Sequence, residues 1–310
     1  MPIREQSKII LLKMEAVYGT DPNPTGAANA VLMKDAKLVP MEGEDVSRDL
    51  ELPYLGGQAM IPTGLRGRLT GMVEMVPSGA AGTAPAWGPL LRCCAVAETI
   101  TGGVSVVYNP ISDNMESATI YWQQGATRHV LTGCRGTATI KVGAQGLPYI
   151  EFDILGLWSQ PTEEVRPTPD LSAYQSPVLV TNANTPTFTV NGVSMVMREM
   201  MLALNNQVEP RLLVGSEGIV IPNREDALSA TVEAVPLTTF DPYALAQAQT
   251  LLAVNLVHGT VAGKITSLSL PTCQMKRLSG LQNAQEIVEW PLELSPLPAA
   301  GNDQWTINLT

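Results

Sequence analysis

The chain has 310 residues, of which 45% are hydrophobic and only 15% charged, so one large domain or two ordinary ones can bury a sizeable core. Glycine (26) and proline (24) are plentiful and aromatics few (5%), which favours short strands and frequent turns over a helical bundle. A net charge of −10, with no run of like charges, argues against a large basic patch and so against nucleic-acid binding as the main function.

The chain opens on a helix-like run whose apolar centre is only Ile9 to Leu12, broken by Lys13 and Glu15. That is too short for the apolar region of a signal peptide. No stretch of eighteen apolar residues predicts a membrane span, so the protein is expected in the cytosol until it assembles. "EAVYGTDPNPTGAANAV" (15–31) follows, rich in turn residues and without recognisable chemistry. A strand is expected through Val39. "MEGEDVSRDLEL" (41–52) crowds Glu42, Glu44, Asp45, Asp49 and Glu51 around Arg48. The spacing does not match a calcium loop, so it reads as an exposed, charged interaction loop.

"APAWGPLLRCCAVAE" (84–98) and "FDPYALAQAQTLLAV" (240–254) each place a proline near a helix entry and continue with an apolar stripe, predicting one helix in each half. Alternating runs then predict strands: "GVSVVYNP" (103–110), "YIEFDILGLW" (149–158), "GKITSLSLP" (263–271) and "DQWTINLT" (303–310). In the second of these, period two puts Glu151 and Asp153 on one face and Ile150, Phe152 and Ile154 on the other. Two acids on a sheet face suit a glycosidase pair or a solvated surface, and the solvated surface is the commoner case. "SMVMREMMLALNNQ" (194–207) reads as methionine-rich strand or core filling, with a plastic partner surface as the alternative.

Cys93, Cys94, Cys134 and Cys273 form no Cys-x-x-Cys pair and read as buried, reduced thiols. His129 and His258 lie far apart without a second ligand at useful spacing. No phosphate loop, zinc-protease or nucleophile-elbow motif occurs. No enzymatic activity, cofactor or metal is expected.

The most informative pattern is internal. "GGQAMIPTGLRGRLTGMVEMVP" (56–77) parallels "GSEGIVIPNREDALSATVEAVP" (215–236), with Ile61-Pro62 matching Ile221-Pro222 and Val73-Glu74 matching Val232-Glu233. The offset is half the chain. Between the halves runs a segment with Pro161, Pro167, Pro169 and Pro177, which reads as an extended connector. This divides the chain into 1–160, a linker 161–177, and 178–310: two similar β-rich domains, each with one helix. If a single unit closed a ring, a doubled unit would halve the number of chains.

Several blocks carry a resemblance. Tyr18-Gly19-Thr20-Asp21-Pro22, the turn Pro24 to Gly26, "PMEGEDVSRDL" (40–50), "GTAPAWGPLLRCCAVAET" (82–99), "YNPISDNMESATIYW" (108–122) and "GCRGTATI" (133–140) occur in the order seen in tail tube, or major tail, proteins of long, flexible-tailed bacteriophages. The likeness covers residues 8–178 well and the second half mainly through the repeat. It implies tandem β-sandwich or barrel units that pair strands between neighbours, close rings and stack into a hollow tube. It implies self-assembly, favouring rings of three chains over six. Further partners would be a tape measure protein and terminator or distal tail proteins, and genome DNA would pass without specific binding. The place would be the virion tail, assembled in the host cytoplasm. In that picture Glu74, Glu151, Asp153 and Glu233 face the lumen. The segment holding Glu42, Glu44, Asp45, Arg48 and Asp49 reaches a neighbouring subunit or ring, and "YGTDPNPTG" is an arm useful only in the assembly. Another virion β-protein, such as a completion or decoration protein, and a carbohydrate-active module are the competing readings. The latter would need clustered aromatics, whereas Trp87, Trp122, Trp158, Trp290 and Trp305 are scattered singly.

Overall fold

A run apolar on both sides, such as Ile9 to Leu12, can be a buried helix turn or a strand covered on both faces; periodicity alone does not decide. In the computed structural model, which describes residues 3–310, it is a strand. The expected helix-like opening is therefore corrected: β1 (Lys8–Met14) pairs on both edges, and Ile9 to Leu12 are all buried.

The protein is mainly β. The strands of the N-terminal half are β1, β2 (Ala30–Val31), β3 (Lys34–Ser47), β4 (Met60–Glu74), β5 (Val96–Thr101), β6 (Ser105–Pro110), β7 (Ala118–Gln124), β8 (Thr127–Gly143) and β9 (Tyr149–Trp158). The short β10 (Thr162–Glu163) lies in the otherwise irregular proline-rich connection. The C-terminal half holds β11 (Thr187–Val190), β12 (Val193–Ser194), β13 (Met197–Ala203), β14 (Asn206–Leu213), β15 (Ser216–Arg224), β16 (Ala227–Glu233), β17 (Leu251–His258), β18 (Thr266–Met275), β19 (Gln282–Ala284), β20 (Ile287–Pro296) and β21 (Thr306–Leu309).

Both predicted helices are present but short, and a four-residue α1 (Gly26–Asn29) was not expected. α2 (Gly88–Arg92) stops because the chain turns at Cys93–Cys94 and Ala95 takes a left-handed φ of 56°, after which β5 begins. α3 (Pro242–Ala248) is capped by the Asp241 carboxylate, which accepts from Tyr243 N and Ala244 N at 3.0 Å each. It ends where Gln249 turns left-handed. The apolar residues expected to extend each helix instead enter strands with paired neighbours.

The two halves repeat one strand order. Antiparallel pairing gives β1-β7-β8-β9-β4-β3 in the first and β11-β17-β18-β20-β16-β13 in the second. Val73 pairs with Ile150 as Val232 pairs with Trp290. The counterpart of β9 is thus β20. β21 is an addition that pairs with β18 and with β6, while β5 and β6 have no counterpart in the second half.

One continuous apolar core runs through both halves, with Leu69, Phe152 and Ile140 at one end and Leu228, Trp290 and Trp305 at the other. Each such side chain contributes on the order of 2 kcal/mol by leaving water. All four cysteines are buried and free.

Candidate assembly surface

The sheet that joins the halves starts from one long strand. β8 spans 17 residues; its first part pairs with β7, and its last part, Thr139 to Gly143, pairs with β13. The result is a continuous antiparallel sheet in the order β3-β4-β9-β8-β13-β16-β20-β19. One face carries Leu69, Val73, Ile150, Phe152, Leu202, Leu228, Val232 and Leu292, all buried. The other face is polar.

Glu74, Glu151, Asp153 and Glu233 all lie on that polar face, half-exposed, beside the buried Val73, Ile150, Phe152 and Val232 of the core face. Sequence reasoning missed their partners. Asp153 Oδ2 is 2.9 Å from Arg68 Nη1, and Glu151 Oε2 is 2.5 Å from Lys141 Nζ. On the same face Arg198 Nε sits 2.8 Å from both oxygens of Glu289, and this neighbour holds that carboxyl below its usual range. Glu74 and Glu233 have no ion-pair partner among the described residues. Arg68 and Lys141 were findable from the polar half of the alternation in β4 and β8. Arg198 was not, because a β-bulge between Met197 and Glu199 breaks the period.

The acidic segment expected to be a loop is mostly strand. Glu42, Glu44 and Asp45 belong to β3 and pair with β4 opposite Arg66, Thr63 and Pro62; Arg48, Asp49 and Glu51 fall in the connection. Glu42 Oε2 accepts from Arg66 Nε at 3.2 Å, a cross-strand pair that offsets the low strand propensity of this stretch. The outer parts of β3 and β4 thus form a hairpin arm. It ends in an exposed connection carrying Leu52, Tyr54 and Leu55.

β14 and β15 form the corresponding arm of the second half, and this one is seated on the first half. Asn206 Nδ2 donates to Cys94 O (2.7 Å) and Gly136 O (2.9 Å). Arg135 Nη1 donates to Ile219 O (3.0 Å), and Arg224 Nη1 to Ala95 O (3.1 Å). Tyr18, from the turn-rich opening segment, accepts from Ile219 N (2.6 Å) and donates to Gly133 O (3.1 Å). Asp21 accepts from Tyr121 Oη at 2.5 Å. The opening segment is therefore bound within its own chain, which corrects its reading as an arm useful only in an assembly. Burial differs between the matched motifs: Ile221 is 8% exposed on its seat, Ile61 56%.

Two edges of the sheet are unpaired. Among the described residues β3 pairs only with β4, and β19 only with β20. No group of three or more His, Cys, Asp or Glu placed to hold a metal occurs among the described residues. His258 Nδ1 lies 2.9 Å from Thr185 Oγ1, and burial lowers the pKa of both histidines. Among the described residues no helix is long and apolar enough to cross a membrane.

The geometry is that of a β-protein whose sheet has one core face, one polar face of mixed acids and bases, and two open edges. The chain belongs to a phage tail tube protein family, whose model matches residues 6–304. No curated protein matches it.

Proposed function

We propose that the chain is the ring subunit of the tube in a long, non-contractile phage tail, and that it conducts double-stranded DNA during ejection. The single observation that carries this reading is the eight-stranded sheet open at both edges, because strand pairing between copies would satisfy those edges. The matched strand order of the halves supports a duplication into units 1–160 and 178–310 joined by 161–177. Three chains then supply six positions around the ring, and six chains is the alternative. Rings stack, a tape measure protein fills the bore, and terminator and distal tail proteins close its ends. Assembly takes place in the host cytoplasm and the product is part of the virion tail.

The polar face is the lumen wall in this reading, with Glu74, Glu151, Asp153 and Glu233 towards the bore. DNA carries one charge per about 1.7 Å of axis. An attraction of even about 0.1 kcal/mol per phosphate, summed along a tail on the order of a thousand ångströms, would reach tens of kcal/mol and hold the genome in place. A neutral or acidic wall avoids this. The arm that ends in Arg48 and Asp49, with Glu42, Glu44 and Asp45 along it, reaches a neighbouring subunit or ring.

Negative-stain electron microscopy of the purified protein over a concentration series tests the reading. Rings or tubes with a central hole are expected. Monomers at every concentration, with or without a tail-tip seed, would contradict it.

A further inference from the structure

The two arms leave the wall sheet in different ways. β3 and β4 stay paired within the main sheet as far as Ser47 opposite Met60, whereas β14 and β15 form a separate two-stranded sheet. The break falls on both strands at one level. Wall pairing ends at Ala203 opposite Ala227, Asn205 takes a left-handed φ of 46°, and pairing resumes at Asn206 opposite Arg224. Asparagine tolerates that conformation, and here its Nδ2 also donates to Glu225 O at 3.0 Å across the break. The result is a hinge, and its side chains fasten it to three other parts of the chain. Asn206 is 7% exposed; its Nδ2 bridges Cys94 O and Gly136 O, and its backbone N donates to Thr137 Oγ1 at 3.1 Å. Arg224 donates to Ala95 O at 3.1 Å and to Ile111 O at 3.4 Å. Asp226 accepts from Gln304 Nε2 at 3.0 Å and from Trp305 Nε1 at 3.1 Å.

We propose that this hinge, with the arm folded from it, is an internal brace that sets the rotation between the two halves, and that Asn206 is its positioning residue. The proposal rests on the ring-subunit reading and specifies what fixes the curvature of the ring. In the sheets the halves are joined by two strand pairs, β8–β13 over Thr139 to Gly143 and β6–β21 over Val106 to Tyr108. Main-chain bonds hold such strands side by side, but the twist between neighbouring strands ranges over about −10 to −35°. Latitude of that size changes how many positions close a ring, and a rotation that does not close gives open helical arcs. The brace contacts lie beyond the end of the β8–β13 pairing, at Arg135 to Thr137, and extend to the turn after α2, so a change of twist at the seam breaks them. The contrast between the matched arms agrees. The arm at the internal seam is fastened and covers Ile221, while the arm at the outer end of the wall sheet leaves Ile61 exposed. Of the two, only the fastened arm lies where it can hold one half against the other.

Two measurements on the full chain test this. Spin labels on Lys37→Cys and Gln282→Cys, exposed positions on the first and last strands of the wall sheet, report the distance between the halves in the unassembled chain by pulsed electron paramagnetic resonance. The four native cysteines are buried and take up little label. A narrow distance distribution is expected for the labelled parent, and one about twice as wide after Asn206→Ala, as the twist latitude of the strand pairs is released. End-on electron-microscopic class averages of assembled material are then expected to show one ring size for the unaltered chain, and several ring sizes with open arcs for Asn206→Ala. A merely structural role would lower the melting temperature and the yield of rings without changing their size. Asn206→Ser keeps one donor and serves if the alanine variant does not fold; it is expected to move both readouts in the same direction. An unchanged distance distribution, or a single parental ring size from the variant, would overturn the proposal and leave the ring reading intact. Failure of the unaltered chain to form rings would instead count against the ring reading, and the distance distribution alone would then decide whether the hinge is a brace.

Discussion

Tyr18 and Ile219 stand 201 positions apart, yet the Tyr18 hydroxyl accepts the Ile219 N–H at 2.6 Å. The same hydroxyl donates to Gly133 O, and Arg135 lies over the Tyr18 ring at 4.9 Å while holding Ile219 O. One side chain thus fastens the opening segment, the middle of β8 and the arm of the second half.

Replacing Tyr18 with Phe removes that hydroxyl and leaves a covered N–H without its acceptor. The expected loss is about 1–2 kcal/mol of unfolding free energy, because an orphaned donor costs more than the net worth of an average bond. Chemical denaturation of the unassembled chain measures it. An unchanged midpoint would mean that water replaces the hydroxyl.

Acid should loosen the junction at Glu289. Its carboxyl is held below the usual value, first by hydrogen bonds from Arg198. A carboxyl lowered in the folded state stabilises above its unfolded pKa, and the contribution disappears as pH falls through the lowered folded value. The effect is therefore complete at neutral pH, begins to fade near the ordinary carboxylate range, and is gone below it. Arg198→Ala should flatten that part of the stability-versus-pH curve. A curve of unchanged shape would assign the acid dependence to other groups.

The thiols should be silent in the folded chain. Burial pushes Cys93 and Cys273 up to about 12 and raises Cys94 and Cys134 as well. Reaction needs the thiolate, so a colorimetric thiol reagent at pH 8 is expected to titrate almost none in the native protein and all four after denaturation. Rapid labelling of even one native thiol would contradict the packing around α2 or β18.

Charge on the polar face should govern DNA passage and leave folding alone. Glu74 and Glu233 have no ion-pair partners among the described residues, so Glu74→Lys/Glu233→Lys should change monomer stability by less than about 1 kcal/mol. Tubes built from it are expected to retain DNA in a salt-dependent manner and to slow ejection from reconstituted virions. Ejection at the normal rate would place these residues away from the bore.

Much of this was legible in the sequence, and the rest was hidden for identifiable reasons. β9 is legible in the sequence because Tyr149 to Ile154 alternates between polar and core face, although Leu155 and Gly156 then break the period. The likeness of the halves shows in the Ile-Pro and Val-Glu steps because β4 in the first half, and β15 with β16 in the second, carry them from an arm into the sheet. Helix lengths were overread because the stops at Ala95 and Gln249 use left-handed residues that are not glycine and carry no local signal. β3 reads as a loop beyond Val39 because its outer part buries nothing in the single chain, so no apolar period marks it. The four acids of the polar face were found by alternation, but their partners and the open edges depend on register, which one strand's sequence does not encode.

In the proposed tube each chain supplies two equivalent positions of the wall through one continuous sheet. A cryo-electron microscopic reconstruction of the assembled tube, computed without imposed symmetry, tests this most directly. The prediction is a threefold ring in which each chain contributes eight wall strands. A sixfold ring of six chains, with only one half of each in the wall, would contradict it.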